Sequence, residues 1–116
     1  MDTVSLIGIQ HVFGQIEYIT VSWDGQGVGE VLHTHYRSRE KVIELIRSGS
    51  RPFLDGPDDI MEEVGDSPKL VRTHQEFFAI KESNPQYYYL FNTDNSWVIY
   101  STHLEPHVQH ENVLYN

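Results

Sequence analysis

The chain has 116 residues, 39% of them hydrophobic and 12% aromatic, which suits one globular domain over 1–116 with one core and excludes global disorder. The formal net charge is −9, and there are no cysteines. This excludes disulfides, thiolate metal sites and cysteine nucleophiles and fits a reducing compartment, so a cytoplasmic protein is expected. No apolar run is long enough to span a membrane, and Met1–Ser5 lacks the basic start and apolar stretch of a secretory signal.

The charge is laid out in blocks. Residues 1–36 hold Asp2, Glu17, Asp24 and Glu30 with no Lys or Arg, and residues 37–51 hold five basic residues against Glu40 and Glu44. An acidic run follows, Asp55, Asp58, Asp59, Glu62, Glu63 and Asp66. Lys69, Arg72 and Lys81 then stand against Glu76, and residues 82–116 hold four acids and no basic residue. Phosphate neutralisation needs clustered Lys and Arg, so direct binding of nucleic acid is not expected.

In chain order, residues 3–10 and 15–23 read as two strands of a hairpin turning at Gly14. Ile19, Val21 and Trp23 alternate onto one face of the second strand. Asp24-Gly25-Gln26-Gly27 breaks that strand, and a helix over 27–36 follows, with Val28, Val31, Leu32 and His35 sharing a face. Ser38 is a good N-cap for a second helix, with Glu40 in the first turn, Val42, Leu45 and Ile46 as its buried stripe and Gly49 as the C′ residue. Residues 50–67 read as a connection with turn signals at Arg51-Pro52 and Asp55-Gly56-Pro57 and room for a helical turn at 58–64. Residues 68–73 suit a short strand, and strands are predicted at 76–81, 86–92 and 96–101, the last two a hairpin through Thr93-Asp94-Asn95. The polar tail from 102 to 116 is expected to be extended or mobile. The order ββαα-loop-βββ predicts an α+β fold: an antiparallel sheet of about five strands with two or three helices on one face.

Residues 20–49 carry a denser pattern. The run Trp23-Asp24-Gly25, then Gly29-Glu30-Val31-Leu32-His33-Thr34-His35-Tyr36, then Lys41-Val42-Ile43-Glu44-Leu45-Ile46 and Gly49, resembles a family of small uncharacterised proteins of bacteriophages and bacteria. That family shares Trp-Asp-Gly, Gly-x-x-Leu-x-x-His-Tyr and Lys-Val-x-x-Leu-Ile-x-x-Gly over about a quarter of a chain this size. It usually carries a longer, Tyr-Pro-containing loop where this chain has only Gln26-Gly27-Val28. The resemblance implies a phage or prophage accessory protein acting in the host cytoplasm, and it implies no activity.

Several constellations bear on function. Trp23 and Asp24 either present a ligand site at a strand end or close the core and cap the next helix. His33 and His35 lie two apart on a predicted helix and point about 200° apart, which argues against a shared metal and for His35 as a core residue. His103, His107 and His110 have helical metal-ligand spacing, but Pro106 interrupts the run. There is no phosphate loop and no nucleophile elbow, so no catalytic residue, metal or cofactor is assigned. Tyr87-Tyr88-Tyr89-Leu90-Phe91 puts aromatics on both faces of its sheet. Either the second face is covered, or it leaves Tyr87, Tyr89 and Phe91, or alternatively Tyr88, toward solvent or a partner, with Tyr87 and Tyr89 the candidate binding residues.

The leading expectation is a non-enzymatic protein that binds and modulates a host protein through an acidic and aromatic surface. Asp55, Asp58, Asp59, Glu62, Glu63, Asp66, Trp23, Asp24, Tyr87 and Tyr89 would form that surface. DNA mimicry directed at a basic, nucleic-acid-handling host protein is its specific variant. The alternatives are a histidine-based metal protein or small metal-dependent hydrolase, and a dimeric structural module using the aromatic strand.

Overall fold

The computed structural model describes residues 3–23, 25–56, 65–102 and 113–115. Among them the elements run β1 (Ser5–Gln10), β2 (Ile16–Val21), α1 (Gly25–His35), α2 (Arg39–Arg47), β3 (Lys69–Val71), α3 (His74–Phe78), β4 (Tyr87–Phe91), β5 (Trp97–Ser101) and β6 (Val113–Tyr115). The strands form one sheet in the order β3-β2-β1-β4-β5-β6. The fold is α+β and the sheet mostly antiparallel, with ββαα leading as expected. One pair differs: β1 and β4 run parallel, Ser5 opposite Tyr87 through Ile9 opposite Phe91. The sheet is therefore mixed, and its central pair joins the two ends of the chain.

The β1–β2 hairpin turns at Gly14, whose φ is 98°. Helix α2 starts where its capping residue predicts, with Ser38 Oγ accepting from the Lys41 N–H at 3.3 Å. It ends in front of Gly49, whose φ of 92° supplies the left-handed turn a C′ residue needs. Val42, Leu45 and Ile46 are its buried stripe.

Two packed clusters lie on opposite faces of the sheet. On one face Ile7, Ile9, Ile19, Val21, Tyr89, Phe91 and Trp97 meet Val28 and Leu32 of α1 and Val42, Leu45 and Ile46 of α2. Gly29 is the close-approach point: a Cβ there would stand 2.9 Å from the Tyr89 ring. Trp97 Nε1 donates to the Tyr36 carbonyl at 2.8 Å, tying β5 to the chain just past α1. On the other face Leu6, Ile16, Tyr18, Tyr88 and Leu90 meet Phe77 of α3.

That second cluster corrects three expectations. Residues 76–81 are not a strand: Phe77 and Phe78 sit in α3. Thr73 Oγ1 accepts from the Glu76 N–H at 3.1 Å, and the Glu76 carboxylate accepts from the Arg72 N–H at 2.9 Å. This is a variant of the capping box, with the Glu76 carboxylate reaching the N–H one residue ahead of the cap, and it overrides the β propensity of two phenylalanines. Helix α3 also covers the second face, so the helices do not all share one side. With both faces covered, Tyr89 is 1% exposed and Tyr87 is partly buried and stacked on it, with ring centroids 6.1 Å apart. Neither belongs to an open aromatic face.

Two further side chains depart from expectation. His35 is exposed, and the core position beside it is taken by Tyr36. Trp23 does not close the core, because β2 ends at Val21 and the chain leaves the sheet before it. Of the expected tail, Val113–Tyr115 pairs antiparallel with β5, and residues 103–112 and 116 lie outside the described residues.

Candidate functional site

The residues expected to bind divide into three groups. Asp24, Asp58, Asp59, Glu62 and Glu63 lie outside the described residues, as do the helical turn proposed at 58–64 and the histidines His103, His107 and His110. Tyr89 is held in the core, and Tyr87 packs partly buried against it. Trp23, Asp55 and Asp66 are exposed, and Trp23 and Asp66 lie by the outer edge of β2 beyond the short strand β3.

That edge is built by a segment that reads as loop. Where β3 stops pairing with β2, residues 50–52 take over. The Arg51 N–H donates to the Thr20 carbonyl at 3.0 Å, the Ser22 N–H to the Arg51 carbonyl at 3.2 Å, and the Trp23 N–H to the Pro52 carbonyl at 3.0 Å. Val21 and Arg51 form a parallel bridge. The pairing carries Phe53 alongside Trp23. Their rings stack with centroids 6.2 Å apart and planes 22° from parallel. The pair remains open to solvent, Trp23 at 40% and Phe53 at 51% exposure. Phe53 was not legible as a site residue, since it stands alone between Pro52 and Leu54 with no periodic pattern around it. The one available signal was its place two residues before the acidic run.

Beside the pair lies a cleft of about 420 Å³, whose walls include Tyr18, Thr20, Ser50, Arg51, Asp66 and Lys69. Ser50 Oγ accepts from the Thr20 N–H at 3.0 Å, and the Ser50 N–H donates to the Asp66 carbonyl at 2.9 Å, fixing the two walls together. Lys69 Nζ donates to Glu82 at 3.0 Å, and this bond raises the Lys69 pKa above its ordinary value. Burial raises the Tyr18 pKa, partly opposed by the Lys69 ammonium, so the phenol stays a neutral donor. Arg51 is only 6% exposed; its Nη2 donates to Ser48 Oγ at 3.0 Å, and its buried Nε has no hydrogen-bond partner among the described residues.

A second apolar feature is the hairpin tip, where Val12 and Phe13 are 82% and 90% exposed. Among the described residues no three His, Asp or Glu side chains gather to hold a metal ion, and no helix is long and apolar enough to cross a membrane. Compared with protein-family models, curated proteins and solved structures, the chain matches none.

Proposed function

We propose that this chain is an accessory binding protein of the phage type that residues 20–49 resemble, and that it occupies a basic host protein in the host cytoplasm. The observation that carries the reading is the exposed Trp23–Phe53 stack, which stands two residues ahead of an acidic run of six carboxylates between Asp55 and Asp66. Exposed, mutually braced aromatics lose little conformational freedom when a partner covers them, and such residues dominate interface energies. The flanking carboxylates would steer a cationic surface onto the pair and reject anionic ones.

DNA mimicry is the specific form of this reading, with the carboxylates standing in for phosphates. It requires that the basic block at 37–51 not cancel the acidic surface. Two of those cations are held away from that surface, which supports it: Arg47 stands 3.9 Å from the Glu17 carboxylate and Arg51 is buried.

The test starts from capture out of bacterial lysate and continues with the purified captured protein. Affinity should fall about 30-fold or more in Trp23→Ala, the effect of removing a hot-spot aromatic. It should also fall with rising salt, and reversing the charges at Asp55 and Asp66 should flatten that dependence. Salt-independent binding, or binding indifferent to Trp23→Ala, overturns the reading.

A further inference from the structure

We infer that the cleft between β2, β3 and residues 50–52 binds a small molecule bearing an oxyanion, phosphorylated or carboxylated. This site adjoins the protein surface proposed above and shares Asp66 with it, but does not depend on that reading.

The first argument is size. About 420 Å³ lies within the range of small-molecule sites, roughly 300–1,000 Å³, and exceeds what a bare anion needs. The second is the chemistry of the walls. Arg51, Lys69, the neutral Tyr18 phenol and the Thr20 and Ser50 hydroxyls are all able to donate, and Asp66 is the carboxylate that opposes them. Asp66 is exposed, and its main chain is spent on Ser50. Lys69 keeps two donors beyond its bond to Glu82, and its side chain is 60% exposed.

The third argument is independent of the cavity. Arg51 is more than nine-tenths buried, always charged, and has no ion-pair partner among the described residues. Its Nε is buried without an acceptor among the described residues. A guanidinium withdrawn from water with a donor unmet is costly, and it persists where an anion answers it. Planar, forked recognition of carboxylate or phosphate is what arginine does best. The strand-like pairing of Arg51 with Thr20 and Ser22 fixes its main chain, so the site is organised before any ligand arrives.

The experiment is an NMR titration of the full chain, isotopically labelled, at constant ionic strength. The probes are inorganic phosphate, adenosine monophosphate and citrate, with sodium chloride as the reference. Saturable shifts are expected at the amides of Ser50, Arg51 and Lys69 and at Arg51 Nε–H. Saturation by phosphate or the nucleotide alone assigns a phosphorylated ligand, and saturation by citrate alone a carboxylated one. Lys69→Ala should weaken binding about tenfold with the melting temperature unchanged, because its side chain is largely exposed. Arg51→Lys keeps the charge, loses the fork, and should weaken it as well. The inference is overturned if no probe saturates, if chloride gives the same shifts, or if Lys69→Ala binds as the parent does.

Discussion

Asp94 sits in the tight turn between β4 and β5 and organises it through one neighbour. Its Oδ1 accepts from both the backbone N–H of Ser96 at 3.1 Å and the Ser96 hydroxyl at 2.5 Å. Asn95 between them takes a φ of 65°, a conformation that asparagine tolerates better than most residues. Hydrogen bonds to the ionised form favour it, so the Ser96 side chain first, and its backbone N–H next, hold the Asp94 carboxyl below its ordinary 3.8. The sign follows directly. A carboxyl with a lowered folded pKa contributes stability that is present above its unfolded pKa and is lost as pH falls through the folded one. The turn should therefore loosen only in acid, below the ordinary aspartate range. Removing the hydroxyl with Ser96→Ala should move the Asp94 midpoint upward towards 3.8, read from its carboxyl carbon in an NMR pH titration. An unchanged midpoint would show that the side-chain bond is not what lowers it.

The elements show how far local pattern carries. Helix α2 was legible because three independent signals agree: the Ser38 cap, the apolar stripe and Gly49. Helix α3 was misread as a strand because Glu-Phe-Phe-Ala-Ile-Lys is rich in β formers, while the decisive signal, Thr73 with Glu76 three residues later, lies at its start. Five residues of helix have little stability of their own. What keeps α3 helical is the cap at one end and Phe77 at 0% exposure at the other, set edge-on against Tyr18 and Tyr88. The Tyr88 hydroxyl closes the arrangement by donating to the Ile80 carbonyl at 2.7 Å. Thr73→Ala should therefore cost about 1 kcal/mol, the usual value of a cap, whereas Phe77→Ala should cost about 3–5 kcal/mol, the value of an emptied aromatic site. Urea denaturation of the two variants checks the order. If Thr73→Ala proves the worse, the cap rather than the packing holds the element.

At the scale of the whole molecule, alternation and turns report only on neighbours in sequence, so the pairing of β1 with β4 was out of reach. It brings residues 5–9 against 87–91, and nothing local encodes that register. The same limit hid the docking of 50–52 on β2, and with it the Trp23–Phe53 stack and the cleft. The aromatic run put aromatics on both faces of β4, but it left open whether the second face was covered, because α3 was read as a strand. Both faces are covered, and the consequence is thermodynamic. Tyr89 and Phe91 pack under α1 and α2 while Tyr88 and Leu90 pack over α3, so one strand anchors both clusters. Neither cluster can be lost without stripping β4 from β1, and unfolding should be a single transition. Trp97, 2% exposed, reports on the first cluster, and replacing the exposed Trp23 by Phe removes the competing fluorescence. Resonances of Phe77 and Leu6 report on the second. The two urea midpoints should coincide, and Leu90→Ala, about 2–5 kcal/mol destabilising, should lower both by the same amount although Leu90 belongs to the α3 side. If the Phe77 resonances collapse at lower urea than Trp97, the two faces unfold separately and β4 does not couple them.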